Sequence, residues 1–377
     1  MFQKSKIYKY IAFSLFLSLL FGTLIYSQLS NRHKAIVKTY FFHTTGILNS
    51  DWLVYNHANI YEMESPTFLI DGIYKSMEGP KASRYIQLNQ KNELLWITGF
   101  EIKALDVETQ EELSNDFICH MNVDINDAVY YENFGLKNRI GKQYPRLTSL
   151  SHGLEKFDFP KGYAVPVHGN DFLYVTTQTL NHNISKINKK VKHKVAISYE
   201  DGAKKMKPLL SKTAFIQLPF DEFNPNKQPL DHGSDQCIPV ETKNHTYTDA
   251  SGQKLSGHWK IPLGKMTYKS SINEHLALEK PMRLHFAAPH VHPFTTSIGI
   301  YDKTDGKMIV TCAVQNHKKT IGLDKIEVFS SSIGVWLFPN HDYEMVLTCN
   351  NTSKEAQDMM GSMFLFFYDA ELDAKIN

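Results

Sequence analysis

The chain has 377 residues, 42% of them hydrophobic, with 41 basic and 39 acidic residues and a formal net charge of +2. Three of the lysines lie within the first ten residues, so the remainder carries a net −1, which excludes the clustered basic surface of a nucleic-acid-binding protein. The roughly 350 residues that follow the leader are too many for one small core and suit two domains.

In chain order, Lys4, Lys6 and Lys9 precede an apolar run over 11–26, broken only by small or hydroxyl residues such as Ser14, Ser18, Gly22 and Thr23. A basic flank followed by an apolar core is the pattern of a secretory signal. The run is about 16 residues, short of the roughly 20 that span a bilayer comfortably. A cleavage site would fall near Ser27, where Ile25 and Tyr26 fit a small-x-small rule poorly. Residues 1–32 are therefore expected as a signal peptide or a transmembrane anchor, with cleavage left open. The lysines precede the apolar run, which places the remainder outside the cytosol. The expectation is an extracytoplasmic protein, membrane-anchored or secreted, that meets the membrane through this segment.

Helix-period stretches are scarce beyond it. Segments at 85–88, 93–102, 116–124, 172–180, 191–199, 282–287, 297–301, 307–314, 333–337, 343–349 and 362–368 are short, rich in β-branched or aromatic residues, and bounded by Asn, Asp, Gly or Pro. Such spacing predicts an all-β protein of antiparallel sandwiches. The stretch after Glu200 changes character, with Lys204, Lys205 and Lys207, then Pro219, Pro225 and Pro229. The expected organisation is an N-terminal β-sandwich over 33–200, a connector over 201–233 and a C-terminal β-sandwich over 234–377. The lysine run from Lys186 to Lys194 reads as a solvated strand pair or loop. Cys119, Cys237, Cys312 and Cys349 show no CxxC spacing, so a zinc ribbon or thioredoxin-type motif is not expected. One or two disulfides remain open.

Three places carry metal-ligating residue types. The first is His290-Val291-His292, within HFAAPHVHPF. In an extended segment, residues two apart share a face. The two imidazoles could hold one metal ion or form a hydrogen-bonded surface pair. The second is Asp358-Met359-Met360-Gly361-Ser362-Met363, leading into the apolar segment 364–368. Methionine here serves as core filler or, beside two imidazoles, as a soft ligand that favours copper, Cu(I) above all. The third is Cys119-His120-Met121 in an alternating, strand-like context, with His182 ending a second such run, VTTQTLNHN. His258, in GHWKIP, is an isolated candidate.

Taken in order, these motifs resemble those of the copper type II, ascorbate-dependent monooxygenases, the family of peptidylglycine α-hydroxylating monooxygenase and dopamine β-hydroxylase. The likeness extends over about 85–370 and is strongest over 283–370. It implies two jelly-roll-like sandwich domains facing a cleft. In that family a His-x-His pair and a later methionine bind the oxygen-activating copper, which places His290, His292 and Met360 as ligands, with Met363 as fallback. The first-domain motif departs from the family's pattern. Cys119-His120-Met121 stands for His-His-Met, and Leu180 falls where the family has its third histidine, with His182 two residues on. His120, His182 and Cys119 are therefore weaker metal candidates, and the resemblance implies a degraded second copper site.

The expectation is an exported or membrane-anchored copper-binding protein. As an enzyme it would be a mononuclear copper monooxygenase hydroxylating a C–H bond of a small-molecule or peptide substrate. The alternative is a non-catalytic extracytoplasmic protein that handles copper or binds a peptide or glycan.

Overall fold

A computed structural model describes residues 2–142, 146–219, 248 and 252–377. Two helices come first, α1 (Phe2–Gln28) and α2 (Asn31–Thr44). Ser30 caps α2 by accepting the amide of His33 at 3.3 Å. Lys38 then reaches Asp71 at 2.5 Å, and His43 Nε2 donates to the Thr67 carbonyl at 2.8 Å, which fixes α2 to the body behind it. Among the described residues, no helix is long and apolar enough to cross a membrane.

The rest is all-β. The first lobe holds β1 (Leu53–His57), β2 (Ile60–Glu64), β3 (Phe68–Ile70), β4 (Lys81–Ile86), β5 (Leu94–Asp106), β6 (Ile118–Ile125), β7 (Arg146–Ser151), β8 (Lys156–Asp158), β9 (Tyr163–His168), β10 (Leu173–Thr179) and β11 (Lys189–Asp201), with α3 (Asp127–Asn133) between β6 and β7. One sheet has the order β4-β10-β6-β7; the facing strands run β1-β2-β11-β5-β9. Alternation explains the pairing. On β11, Val191, Val195 and Ile197 are buried with His193, while the intervening lysines point outward. Those lysines meet acids on neighbouring strands, as Lys192 does with Glu64 at 2.7 Å, so the lysine run is a solvated strand face.

The second lobe holds β12 (Lys207–Phe215), β13 (Leu218–Pro219), β14 (Leu255–Ser256), β15 (His258–Ile261), β16 (Gly264–Ser271), α4 (Asn273–Leu276), β17 (Met282–Val291), β18 (Thr295–Asp302), β19 (Lys307–Asn316), β20 (Leu323–Ile326), β21 (Phe329–Leu337), β22 (Tyr343–Asn351), β23 (Gln357–Tyr368) and α5 (Ala370–Ile376). A five-stranded sheet, β16-β22-β18-β19-β20, packs on the strands β12-β23-β17-β21. Residues 207–215 lie in the stretch expected as a connector, yet β12 pairs with β23 from Leu209↔Tyr368 to Phe215↔Ser362. The lysines before it suggested a linker, but Leu209, Ala214, Phe215 and Ile216 are buried, and that apolar content decides for a strand. The rest of that stretch, from 220 on, lies outside the described residues together with Cys237.

A short parallel pairing, Lys207↔Tyr163 and Pro208↔Ala164, joins β12 to β9 and makes one sheet continuous through both lobes. Strands β17 and β23 show near-continuous burial, where β11 and β22 alternate. Continuous burial means cover on both faces. On one face, Gly361 approaches Leu347 and Ile298 of the five-stranded sheet. On the other, Phe366 lies 4.7 Å from Phe159 and Phe286 lies 4.8 Å from Phe157, ring centre to ring centre. Those phenylalanines belong to the first lobe, so the even-numbered residues of β23 face the lobe boundary.

Candidate metal centre

The lobe-facing side of β23 leads from Phe366 and Phe364 to Ser362 and Met360. Antiparallel pairing sets His290 against Ser362 and Val291 against Gly361, so the next step of the register brings His292 beside Met360. On the other flank, β15 sets His258 against Met360. Three strands thus place His258, Met360 and His292 in one row, with His290 a step away. The rings of His258 and His292 are 5.7 Å apart, and those of His290 and His292 are 6.4 Å apart. His258, His292 and Met360 are buried at 5%, 7% and 3% exposure, and His290 is half-buried. Met359 and Met363 occupy the opposite face and are wholly buried. Met359 accepts the Thr295 hydroxyl at 3.3 Å, and Met363 pairs with Pro289. Strand parity therefore sets Met360, and not Met363, on the face that carries the histidine row.

The protonation states suit ligation. His292 Nδ1 donates to the Asp358 carbonyl at 3.3 Å, which leaves Nε2 as its lone-pair nitrogen. Burial holds His292 below the ordinary imidazole range. Burial, with the neighbouring charges of His292 and Arg146, takes His290 down to about 3. Both are neutral imidazoles at physiological pH, as a metal ligand must be. His290 Nδ1 is buried with no hydrogen-bond partner. Behind His292 the chain turns sharply. Phe294 adopts φ 74°, and its amide donates to Asn316 Oδ1 at 2.6 Å, which fixes where the strand pair ends.

The first lobe presents its own polar face to this row. His120 pairs with Gln178 on one side and Ser151 on the other. Burial depresses the pKa of His120 first, and the charge of His290 across the boundary second. His182 is lowered to about 4 by burial and then by His292. Cys119 is a free, buried thiol whose sulfur accepts the Met77 amide at 3.3 Å and lies 3.4 Å from His120 Nδ1. Burial pushes it up to about 11, so without a metal it stays a protonated thiol. Leu180 is buried and offers no lone pair. Cys312 and Cys349 are likewise free and buried.

No protein-family model and no curated protein sequence matches the chain. Among solved structures, it is similar to PNGase F, a glycosylasparaginase from Flavobacterium meningosepticum, with 8% identity, a TM-score of 0.35, and 83% of this chain and 96% of that chain covered. It is also similar to the cowpea mosaic virus top component, at 10% identity, TM-score 0.31 and coverage of 80% and 90%. PNGF-II follows at 12% identity and TM-score 0.27, with 79% of this chain and 65% of that one covered. Likenesses this distant carry no conclusion about the activity of this chain.

A further constellation lies at the same boundary. His152, just after β7, and His317, just after β19, face each other with Nε2 atoms 3.4 Å apart, beside Asp116 of the turn that starts β6. None of the three stands in a motif of fixed spacing. They come from segments that are far apart in sequence and meet only when the lobes dock. His258 was visible only as an isolated histidine. What recruits it is the pairing of β15 with β23, a pairing that no local signal announces.

Proposed function

We propose that this protein is an extracytoplasmic copper protein that holds one Cu(I) at His290, His292 and Met360, with His258 as a fourth donor. The observation that supports this is the register of one sheet face, which sets buried His258 and His292 beside Met360, with half-buried His290 one step along the strand. That donor set is soft and nitrogen-rich and favours Cu(I) over magnesium or calcium. The unpartnered buried Nδ1 of His290 fits a ligand role, since a buried polar atom otherwise carries a desolvation penalty. Copper bound there would supply one-electron and dioxygen chemistry. The chain's own residues orient and dry the site: the Asp358 carbonyl fixes the His292 tautomer, and Phe286 and Phe366 close the boundary beneath it.

In its enzymatic form this reading is a mononuclear copper monooxygenase acting on a C–H bond of a small molecule or peptide. The second reading is copper handling without turnover, and the burial of the donors favours it, because 3–7% exposure at Met360, His258 and His292 leaves little room for a substrate. Both readings take one copper per chain, because Leu180, which has no lone pair, stands where the resemblance would place a third ligand of a second site.

Anaerobic Cu(I) titration against a chromophoric chelator tests the site. One Cu(I) per chain is expected, abolished in the His290→Ala/His292→Ala double variant and unchanged in His120→Ala. Met360→Leu keeps the side-chain volume at a stability cost under about 1.5 kcal/mol and is expected to weaken Cu(I) at least tenfold. Retention of tight Cu(I) by the double variant overturns the assignment. Oxygen uptake with ascorbate then separates a monooxygenase from a copper carrier.

A further inference from the structure

Asp116, His152 and His317 are not part of the copper row, and their arrangement asks for an explanation of its own. The two Nε2 atoms are 3.4 Å apart, and Asp116 Oδ1 lies 3.5 Å from that of His152 and 3.8 Å from that of His317. Ligands at bond lengths near 2.0–2.1 Å on a tetrahedral ion stand about 3.3 Å from one another. The three edges of this triangle are therefore those of a tetrahedral face, slightly opened. A hydrogen bond between the two imidazoles would account for one edge alone. It leaves Asp116 Oδ1 buried with no hydrogen-bond partner. The fourth wall is Gly322. A Cβ there would stand 2.6 Å from the His317 ring, 2.7 Å from the His152 ring and 3.1 Å from Asp116 Oδ1. A side chain at 322 would crowd all three groups at once.

The geometry points to a divalent first-row metal site, zinc foremost, held by the Nε2 atoms of His152 and His317 and the carboxylate of Asp116 across the boundary between the lobes. Two imidazoles and one carboxylate are a donor set that binds zinc and other divalent transition ions. The supporting structure is in place on both sides. The His317 amide donates to the Gly322 carbonyl at 3.0 Å and closes the loop that carries both. Asn183 of the first lobe clasps that loop, with its Nδ2 donating to the Ile321 carbonyl at 2.9 Å and its Oδ1 accepting the Ile321 amide at 3.1 Å. The Ile326 amide donates to the Gly153 carbonyl at 2.6 Å, next to His152. An open hollow of about 680 Å³, lined by His317, Gly322, Lys318 and Lys319 among others, gives solvent access to the site. Zinc held by three protein ligands completes its coordination with a water. The ion would tie the lobes together.

The test uses the full chain, stripped with chelator and titrated with Zn²⁺ and with Co²⁺. The His290→Ala/His292→Ala background removes the copper row. In that background one zinc per chain is expected, together with the visible d–d bands of four-coordinate cobalt. His317→Gln and Asp116→Asn should each weaken zinc roughly 100-fold or more, since each removes a direct ligand where loss of a supporting partner already costs 10–100-fold. Gly322→Ala, which leaves every donor in place, should weaken it as well by filling the cradle. Urea midpoints without metal establish that each variant folds, and zinc should raise the midpoint of the background protein but not of His317→Gln. Zinc that binds the background, His317→Gln and Asp116→Asn alike, or the absence of zinc binding at micromolar concentration, overturns the proposal. Either result leaves the Cu(I) titration of the wild type untouched, so the two sites fail or stand separately.

Discussion

His193 shows how one residue can tie stability to pH away from any ligand set. It is wholly buried on β11, donates from Nε2 to the Phe117 carbonyl at 3.1 Å, and lies 5.5 Å from the Phe68 ring. Burial lowers its pKa to about 4, against about 6.5 in an unfolded chain. Between those values the unfolded state binds the extra proton, so stability is full above pH 6.5 and is lost as pH falls toward 4. The loss approaches about 1.4 kcal/mol per pH unit and about 3 kcal/mol in all. Urea midpoints measured from pH 8 to pH 4 check this. His193→Gln keeps an N–H for Phe117 but cannot titrate, and its midpoint should fall less over that window by this amount. In the sequence His193 stood inside a lysine run that reads as solvated. Only strand parity separates it from Lys192 and Lys194.

At the scale of the element, the end of β23 carries a concentrated set of interactions. Asp369 caps α5 by accepting the Leu372 amide at 3.1 Å, and its Oδ1 also accepts Arg139 Nη2 at 3.0 Å. The same guanidinium reaches Glu371 at 2.7 Å. Asp369 is 2% exposed, so its removal takes the buried partner from a partly buried cation, leaving it Glu371 alone, and uncaps a helix end. Asp369→Ala should cost about 3–5 kcal/mol for the broken pair, with about 1 kcal/mol more for the lost cap. Asp369→Asn, which keeps the cap, should cost less. Thermal or urea unfolding reads both. The end of β23 was legible as an aromatic strand, while its register with β17 came only from the structure. That Met360 faces the lobe boundary while Met359 and Met363 face the sandwich interior follows from the pleat. Which of the two faces meets the first lobe does not.

For the whole molecule, the boundary between lobes is a second core. Phe157 and Phe159 of the first lobe pack on Phe286 and Phe366 of the second, and one hydrophobic cluster runs through both. Phe366→Ala opens that core at its centre and should cost about 3–5 kcal/mol. Because each lobe supplies part of the cover for the other, the wild type should unfold in a single transition by calorimetry. The variant should lower its midpoint and begin to separate it into two.

The sequence by itself determined that the chain is β-structured, where most strands run, and that His290 and His292 share a face. Those features depend on local alternation, turn residues and the two-residue period of an extended chain. Met360 lies far along the chain from them, and it was the family resemblance, not a local signal, that named it as their partner. The tertiary structure alone decided the rest. It turned the start of an apparent linker into β12 and brought His258 to Met360 through β15. It also drew Asp116, His152 and His317 into one triangle around Gly322. Each of these results from pairings between segments far apart in the chain, and their free energy comes from burying two lobes against each other, which no local pattern encodes.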